Sequence, residues 1–103
     1  MNRGELWWVE RPGVGRRPHL ILTRQTAIPL LHSVVAVPAT RTIRGLATEV
    51  SLGTGDGMPE DCVLSLDNVT LVRKSSLLEP ICRLSMEKMR EVCAALAIAT
   101  GCA

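Results

Sequence analysis

Two adjacent arginines and a proline open the stretch of this sequence best suited to chemistry, residues 15–23. Pro18 fixes its own φ and holds the residue before it in extended backbone, so we expect Arg17 at the mouth of a β-strand. A guanidinium held there can pair two phosphate oxygens through its planar fork. The stretch therefore indicates a phosphate site at Arg16 and Arg17. The alternative is a pair of solvated surface arginines, which are common.

More basic residues lie in two predicted loops near this stretch. Residues 11–15 contain a Pro-Gly pair and a second glycine, so we expect a loop whose backbone can approach a ligand closely. Arg41 lies in a second polar loop, residues 39–45. Residues 1–50 carry a net charge of +4 and residues 51–103 carry −2, which places the positive field on the N-terminal half. The whole-chain charge of +2 does not by itself imply nucleic acid.

The cysteines and histidines lack the spacing of a metal site. None of the four cysteines forms a CxxC pair, and both histidines lie far from them in sequence. The glycine-rich turn at residues 53–61 has an acidic tail and no Gly-Lys-Ser/Thr, so it is not a phosphate-binding P-loop. We expect no metal and no cofactor, and thiols that are reduced and mostly buried.

Length and composition indicate one globular domain over residues 1–103. Apolar residues make up 47% of the chain, and Trp7 and Trp8 are the only aromatic residues. The N-terminus has no apolar h-region, and no apolar run reaches the length of a membrane span. We therefore expect a cytoplasmic protein that does not enter a membrane.

Short β-type runs fill most of the chain. We predict five or six strands, over residues 5–10, 18–23, 33–38, 47–52, 62–66 and 81–84. Residues 69–72 continue extended after 62–66, and single helical turns lie within 26–31 and 75–78. Period-two alternation puts the two tryptophans on opposite faces of the first strand, one in the core and one at an interface or binding surface.

One helix is predicted at the C-terminus. Ser85 is a suitable N-cap and Gly101 a suitable stop. An apolar stripe at helical spacing includes Cys93, which we interpret as a core thiol. The fold class is thus mainly β with a C-terminal helix, a small bent sheet or barrel. A core so poor in aromatic residues suggests further burial by dimerisation.

Five short motifs, in order, resemble those of the MazF/PemK (Kid) toxin family. They are Arg3-Gly4-Glu5-Leu6-Trp7, Arg17-Pro18 before a hydrophobic strand, Val37-Pro38-Ala39-Thr40, Asp67-Asn68, and Leu84-Ser85-x-x-x-Met89. The resemblance covers nearly the whole chain. It implies a homodimer with an SH3-like barrel, and a toxin of a type II toxin–antitoxin system. It further implies a sequence-specific, metal-independent endoribonuclease of the cytoplasm that cleaves single-stranded RNA through the 2′-hydroxyl to a 2′,3′-cyclic phosphate. The implied partner is an antitoxin with a disordered, acidic inhibitory tail.

The resemblance also implies roles for individual residues. By motif, Arg17 and Thr40 are the catalytic pair. Asp67, Ser65 and Asn68 are candidates for catalysis or RNA binding, although some relatives carry an arginine where this chain has Ser65. The residues expected to bind RNA are Arg11, Arg16, His19, Arg41 and Thr42. This chain departs from the family in its shorter first loop, residues 10–16.

Two other functions fit the same fold class. One is a non-enzymatic toxin that binds a protein target, as CcdB proteins bind gyrase. The other is a plain SH3-like interaction module. Arg17-Pro18 together with Val37-Pro38-Ala39-Thr40 favours the ribonuclease. The motifs do not encode the RNA sequence that is cut, because single-strand recognition depends on loop shape and base contacts.

Overall fold

Seven antiparallel strands and a C-terminal helix make up the part of the chain that the computed structural model describes, residues 1–102. The strands are β1 (Glu5–Arg11), β2 (Gly15–Ile21), β3 (Ser33–Thr40), β4 (Glu49–Leu52), β5 (Cys62–Ser65), β6 (Thr70–Arg73) and β7 (Leu77–Arg83), and the helix is α1 (Met86–Thr100). One-turn 3-10 helices lie at Ile28–Leu30, Thr54–Asp56, Leu66–Asn68 and Lys74–Ser76. The predicted class, mainly β with a C-terminal helix, is confirmed.

β3 is the strand that holds the sheet together. Its first half pairs with β6, its middle with β2, and its last two residues, Ala39 and Thr40, with β5. The strands follow the order β4-β5-β3-β2-β1-β7, with β6 also on β3. Within residues 1–102 the end strands β4 and β7 do not pair with each other, so the sheet is strongly bent and barrel-like but open.

The prediction that Pro38 ends the third strand is wrong. Pro38 lies opposite His19 of β2, and the strand continues to Thr40. A proline cannot donate a ladder hydrogen bond, but here it sits where β3 changes its partner from β2 to β5. The absent N–H of Pro38 is tolerated where the pairing with β2 ends and the pairing with β5 begins. The strand continues past the proline and ends at Thr40.

The predicted loop over residues 11–15 is shorter than expected. β1 runs to Arg11 and β2 already begins at Gly15, so only three residues make the turn of a hairpin. Gly13 and Gly15 have φ of +78° and +91°, which glycine adopts at little steric cost. Arg16 and Arg17 therefore lie inside a strand, not in a flanking loop.

α1 packs over one face of the sheet and completes the main core. Its N-cap is confirmed, since Ser85 Oγ accepts a hydrogen bond of 3.1 Å from the Lys88 N–H, and Gly101 ends the helix with φ +72°. Val92 and Ala95 are the buried positions of the helix, and they join a core that includes Leu6, Leu20, Val37 and Leu64.

The expectation of mostly buried thiols is wrong. Cys93 follows the buried Val92 and is turned about 100° away from it around the helix, so its side chain is exposed. Cys102 is also exposed and Cys82 is half-buried, which leaves Cys62 as the buried thiol of the described residues.

The two tryptophans are both half-buried, and they lie in the two different surroundings that alternation predicts. Trp7 packs against the small cluster of Ile21, Ile28 and Val34. Trp8 borders a surface cavity. The pairing of β1 with β7 shifts register at two points, between Leu6 and Trp7 and between Trp8 and Val9.

We predict that two glycines of left-handed backbone differ in their tolerance of a side chain. A Cβ at Gly57 (φ +97°) would lie 2.7 Å from Cys82 Cβ, whereas a Cβ at Gly13 (φ +78°) would meet nothing within 4 Å. Gly13→Ala should lower the free energy of unfolding by about 1–2 kcal/mol through backbone strain alone. Gly57→Ala should lower it further because of the added overlap. Urea unfolding followed by circular dichroism measures both, and equal losses would contradict the packing argument.

Candidate active site

Two surface cavities meet at the end of β3. Arg17, Ala39 and Thr40 line both of them. The first cavity, of about 150 Å³, extends between Trp8, Arg16, Arg41, Met58, Glu60 and Cys62. The second cavity, of about 210 Å³, extends toward Arg11, Val14 and His19. The structure therefore brings together most of the basic residues that the sequence analysis singled out, with Arg17 and Thr40 between the two cavities.

Strand pairing brings the segments that carry Arg17 and Thr40 together. β2 and β3 pair antiparallel with Ile21 opposite Ala36 and His19 opposite Pro38, where their pairing ends. Arg17 lies two residues before His19 and Thr40 two residues after Pro38, and both line the same two cavities. Two residues more than twenty positions apart in the sequence are thus brought to one site by the pairing of two strands.

The arginines of the site differ in their partners. Arg16 donates to Glu79 Oε1 at 2.8 Å and lies over the Trp8 ring, 5.7 Å from its centroid. Arg41 donates to Glu60 Oε2 at 2.8 Å. Both pairs are solvent-exposed, where ion pairs contribute about 0–1 kcal/mol. Arg17 is exposed and forms no ion pair with any group of residues 1–102, so its guanidinium is available to an anion.

The hydroxyl of Thr40 retains a hydrogen that it can donate to a ligand. Its Oγ1 accepts a hydrogen bond of 3.2 Å from the Thr42 N–H. A hydroxyl that accepts from a neighbour can still turn its own hydrogen toward a ligand. Thr42 is exposed and lines neither cavity, so this contact through its backbone is the role that the structure gives it.

His19 is buried beneath the second cavity, and its expected role in RNA binding stays a prediction. Its side chain is 0% exposed. Nδ1 lies 3.1 Å from the carbonyl oxygen of Arg17, and Nε2 lies 3.4 Å from Nη1 of Arg11. The alternation of β2 turns the odd-numbered residues at this end toward one face, and there the ring is covered. His19 thus lies beneath two arginines of the second cavity.

Asp67, Ser65 and Asn68 lie apart from Arg17 and Thr40. Ser65 ends β5, Asp67 and Asn68 follow it in a 3-10 turn, and none of the three lines either cavity. Asn68 donates a hydrogen bond of 3.0 Å to Ser65 Oγ within this turn. Asp67 accepts one of 2.6 Å from Thr48 Oγ1, which joins the turn to the residue before β4. A role for the three residues in catalysis or RNA binding stays a prediction.

Sequence reasoning missed the acidic partners of the site. Glu60 belongs to the acidic tail of the glycine-rich turn, and it borders the first cavity, paired with Arg41. Glu79 reaches Arg16 because β1 pairs Trp8 with Glu79 on β7. Both contacts join residues far apart in sequence, so no local signal marks them. Alternation along β1 did predict one tryptophan at an interface or binding surface, and Trp8 borders the first cavity.

Cys62 lines the first cavity without being a reactive thiol. Burial raises the pKa of the Cys62 thiol, and the nearby carboxylate of Asp61 raises it further. The thiol is therefore protonated at neutral pH and is a poor nucleophile. Within residues 1–102 no three histidine, cysteine or acidic side chains gather in a way that could hold a metal ion. None of the helices described is long and apolar enough to cross a membrane.

Comparison with known proteins gives the family. A model described as "PemK-like, MazF-like toxin of type II toxin-antitoxin system" matches residues 2–100. The chain therefore belongs to this family of toxins, as the motifs implied.

Two curated relatives come from Mycobacterium tuberculosis. The "Probable endoribonuclease MazF5" is 44% identical over 101 residues, which are 97% of this chain and 93% of the relative. The "Probable endoribonuclease MazF2" is 41% identical over 103 residues, 99% of this chain and all of the relative. These names support the ribonuclease interpretation and not the gyrase-binding alternative.

Solved structures share the fold. "Mycobacterium tuberculosis toxin MazF-mt6" superposes with a TM-score of 0.87 and 31% identity, covering 94% of this chain and 96% of the other. A mycobacterial "endoribonuclease in complex with its cognate antitoxin" superposes with a TM-score of 0.90 and 28% identity, covering 98% and 95%.

We predict that the stability of the protein falls in weak acid because of His19. Burial lowers the pKa of His19, opposed by its hydrogen bond to the Arg17 carbonyl and assisted by the charge of Arg11. The folded pKa is therefore below the unfolded value of about 6.5, and the unfolded chain binds the proton more readily. The stabilisation is complete above about pH 6.5 and is lost as the pH falls from there toward the folded pKa.

The measurement is the urea midpoint between pH 7.5 and pH 5. His19→Gln removes the titrating group, so its midpoint should change less over this range than that of the natural protein. Equal pH slopes in the two proteins would contradict the prediction.

Proposed function

We propose that this toxin is an endoribonuclease that cleaves single-stranded RNA where its two cavities meet, with Arg17 and Thr40 as the catalytic residues. One observation carries the assignment. Arg17 has no ion-pair partner within residues 1–102, and it lines the same two cavities as Thr40, whose hydroxyl can still donate. A guanidinium and a hydroxyl on one face can hold the two non-bridging oxygens of a single phosphate.

The reaction needs no nucleophile from the protein. The 2′-hydroxyl of the RNA loses its proton and attacks the adjacent phosphorus, the bond from phosphorus to the 5′ oxygen breaks, and that oxygen gains a proton. The products are a 2′,3′-cyclic phosphate and a free 5′-hydroxyl. Arg17 neutralises the charge that develops on the phosphoryl oxygens, and Thr40 donates a hydrogen bond to one of them. Positioning and charge stabilisation of this kind supply much of the rate in such reactions.

The remaining arginines bind the strand on either side. Arg16 and Arg41 line the first cavity and Arg11 the second, so RNA phosphates flanking the cleaved bond meet a cation on each side. Trp8 offers a ring face beside Arg16 on which a base can stack. Four further residues are proposed to contact the RNA outside the two cavities: Thr42, Asp67, Ser65 and Asn68.

An antitoxin with an acidic segment is the proposed inhibitor, and the cytoplasm is the proposed location. Two solved complexes contain a protein of this fold. One is a mycobacterial "Endoribonuclease in complex with its cognate antitoxin", and the other is "MazE-MazF" from Deinococcus radiodurans. In this chain Glu79 and Glu60 already pair with Arg16 and Arg41. An acidic peptide over the cavities would replace these two carboxylates with its own, and its charge would also reach Arg17.

A homodimer is proposed through an uncovered part of the sheet. Val35 and Leu71 lie directly opposite each other on β3 and β6, and they are 39% and 69% exposed. Leu30 and Leu31, just before β3, are exposed as well. Their neighbours Val34 and Val72 are buried on the other face. A second copy is the occupant we propose, because a core this small gains stability from such burial.

Arg17→Ala should abolish RNA cleavage and leave the fold intact, because its exposed head supports no contact within the protein. Arg17→Lys should restore only part of the rate, since a point charge does not replace a bidentate fork. Arg16→Ala is the matched control and should lose much less, chiefly in RNA binding. Primer extension on a long RNA in the presence of EDTA measures cleavage, and circular dichroism checks the fold. Full activity in Arg17→Ala would refute the assignment.

Thr40→Ala should slow cleavage by roughly ten- to a thousandfold, the scale of one lost transition-state hydrogen bond. Thr40→Ser keeps the hydroxyl and should retain most of the rate. The loss should appear in kcat more than in KM, because the bond strengthens as charge develops. If alanine and serine behaved alike, Thr40 would be only a structural residue.

Leu71→Glu should shift the protein toward the monomer, because it places a charge in the proposed dimer contact. Leu78→Glu is a control at an exposed leucine of β7, outside that surface. Sedimentation equilibrium at micromolar concentration measures the mass of each. A natural protein that is monomeric there, or a Leu71→Glu dimer as tight as the natural one, would overturn this interface.

A further inference from the structure

His19 is the one acidic or basic side chain of residues 1–102 that is buried. It lies on β2 two residues after Arg17, opposite Trp7 of β1 and Pro38 of β3. Both ring nitrogens have a partner, the Arg17 carbonyl oxygen at 3.1 Å and Arg11 Nη1 at 3.4 Å. A buried ring with both nitrogens occupied is held in one orientation.

The two partners determine where the ring carries its hydrogen. A carbonyl oxygen only accepts, so Nδ1 must bear the hydrogen and donate it to Arg17. A guanidinium only donates, so Nε2 must be bare and accept from Arg11. Only the neutral ring with hydrogen on Nδ1 satisfies both contacts.

Protonation of the ring would break the second contact. An imidazolium carries a hydrogen on Nε2 as well, and it would face the Arg11 guanidinium with like charge. The strands that pair with β2 supply no compensating acid there, since β1 presents Arg11 and Trp7 and β3 presents Pro38. Burial also lowers the pKa of His19, which agrees with a ring that is neutral at pH 7.

We propose that His19 is a positioning residue for RNA cleavage: its neutral ring anchors Arg11 in the second cavity beside Arg17 and Thr40, and protonation releases Arg11. The inference rests on the proposed function. Arg11 lines the second cavity together with Arg17 and Thr40. Its guanidinium would otherwise have the freedom of a long side chain at a strand end. Fixing it in advance reduces the cost of ordering it when RNA binds.

Two amide substitutions of His19 distinguish the hydrogen bond of Nδ1 from that of Nε2. In His19→Gln the amide oxygen can reach the position of Nε2 and accept from Arg11. In His19→Asn the amide can replace only Nδ1, and Arg11 loses its acceptor. Cleavage of a short single-stranded RNA is measured from pH 5 to pH 8.5 with Arg11→Ala and the His19→Asn/Arg11→Ala double variant alongside. Circular dichroism at each pH confirms that every protein is folded.

We expect natural cleavage to decline in acid, at a pH lower than the ordinary histidine pKa of about 6.5, because burial lowers the pKa of His19 in the folded protein. His19→Gln should keep its rate to within about threefold and lose this decline. His19→Asn and Arg11→Ala should each lose about tenfold, equivalent to 1.36 kcal/mol, and the double variant should lose no more than either. Additive losses, or a folded His19→Asn with the natural rate and pH profile, would overturn the proposal.

A second readout does not depend on cleavage. Nitrogen-15 NMR of the His19 ring at pH 7.5 reports which nitrogen bears the hydrogen. We expect it on Nδ1, and we expect the Nε2 resonance to shift in Arg11→Ala. A hydrogen on Nε2 would overturn the proposal at any level of activity. If the natural protein cleaved no RNA while the NMR result held, the proposed function would fail and the anchoring of Arg11 would stand.

Discussion

The pairing of β3 with three other strands is the constraint on which the rest of this structure depends. Its backbone is shared between β6, β2 and β5 within eight residues, and the last change of partner falls at Pro38, which has no N–H to donate. The pairing with β2, which ends at Pro38, brings Thr40 to the cavities that Arg17 lines. Because side chains alternate between faces, a slip of one residue would turn Thr40 to the other face and separate it from Arg17.

The charges of the site divide its arginines into two groups. Arg16 and Arg41 are neutralised by carboxylates of the same chain, through exposed pairs that are weak enough to exchange for a phosphate. Arg11 is held by a neutral ring, and Arg17 has no ion pair among the described residues. The second cavity, which Thr40 also lines, is thus the one whose arginines have no acidic competitor among the described residues. This difference in pairing, rather than the total charge of +2, concentrates anion binding where β2 and β3 meet.

Structural features that depend on residues close together in the sequence could be predicted. The cap at Ser85, the stop at Gly101 and the β-branched runs have local causes, and the motifs placed Arg17 and Thr40 in one site. The remaining features depend on contacts between distant residues. Pro38 continues its strand because a second partner strand is there, and His19 is buried because of strands on both sides. Cys93 is exposed because the sheet meets α1 at Val92 and Ala95, and Glu79 reaches Arg16 across 63 residues.

The carboxylates of Glu79 and Glu60, which pair with Arg16 and Arg41, affect how anion binding depends on ionic strength. When a cation of a protein replaces a counterion condensed on RNA, the released counterion makes binding weaken as salt rises. At Arg16 and Arg41 the arriving phosphate also frees Glu79 or Glu60, and the freed carboxylate attracts a cation from solution in turn. The two exchanges offset each other, so these arginines add little to the net release. If RNA binds as proposed, the salt dependence of its affinity would therefore reflect Arg11 and Arg17, and it would be shallower than a count of arginines in the site implies.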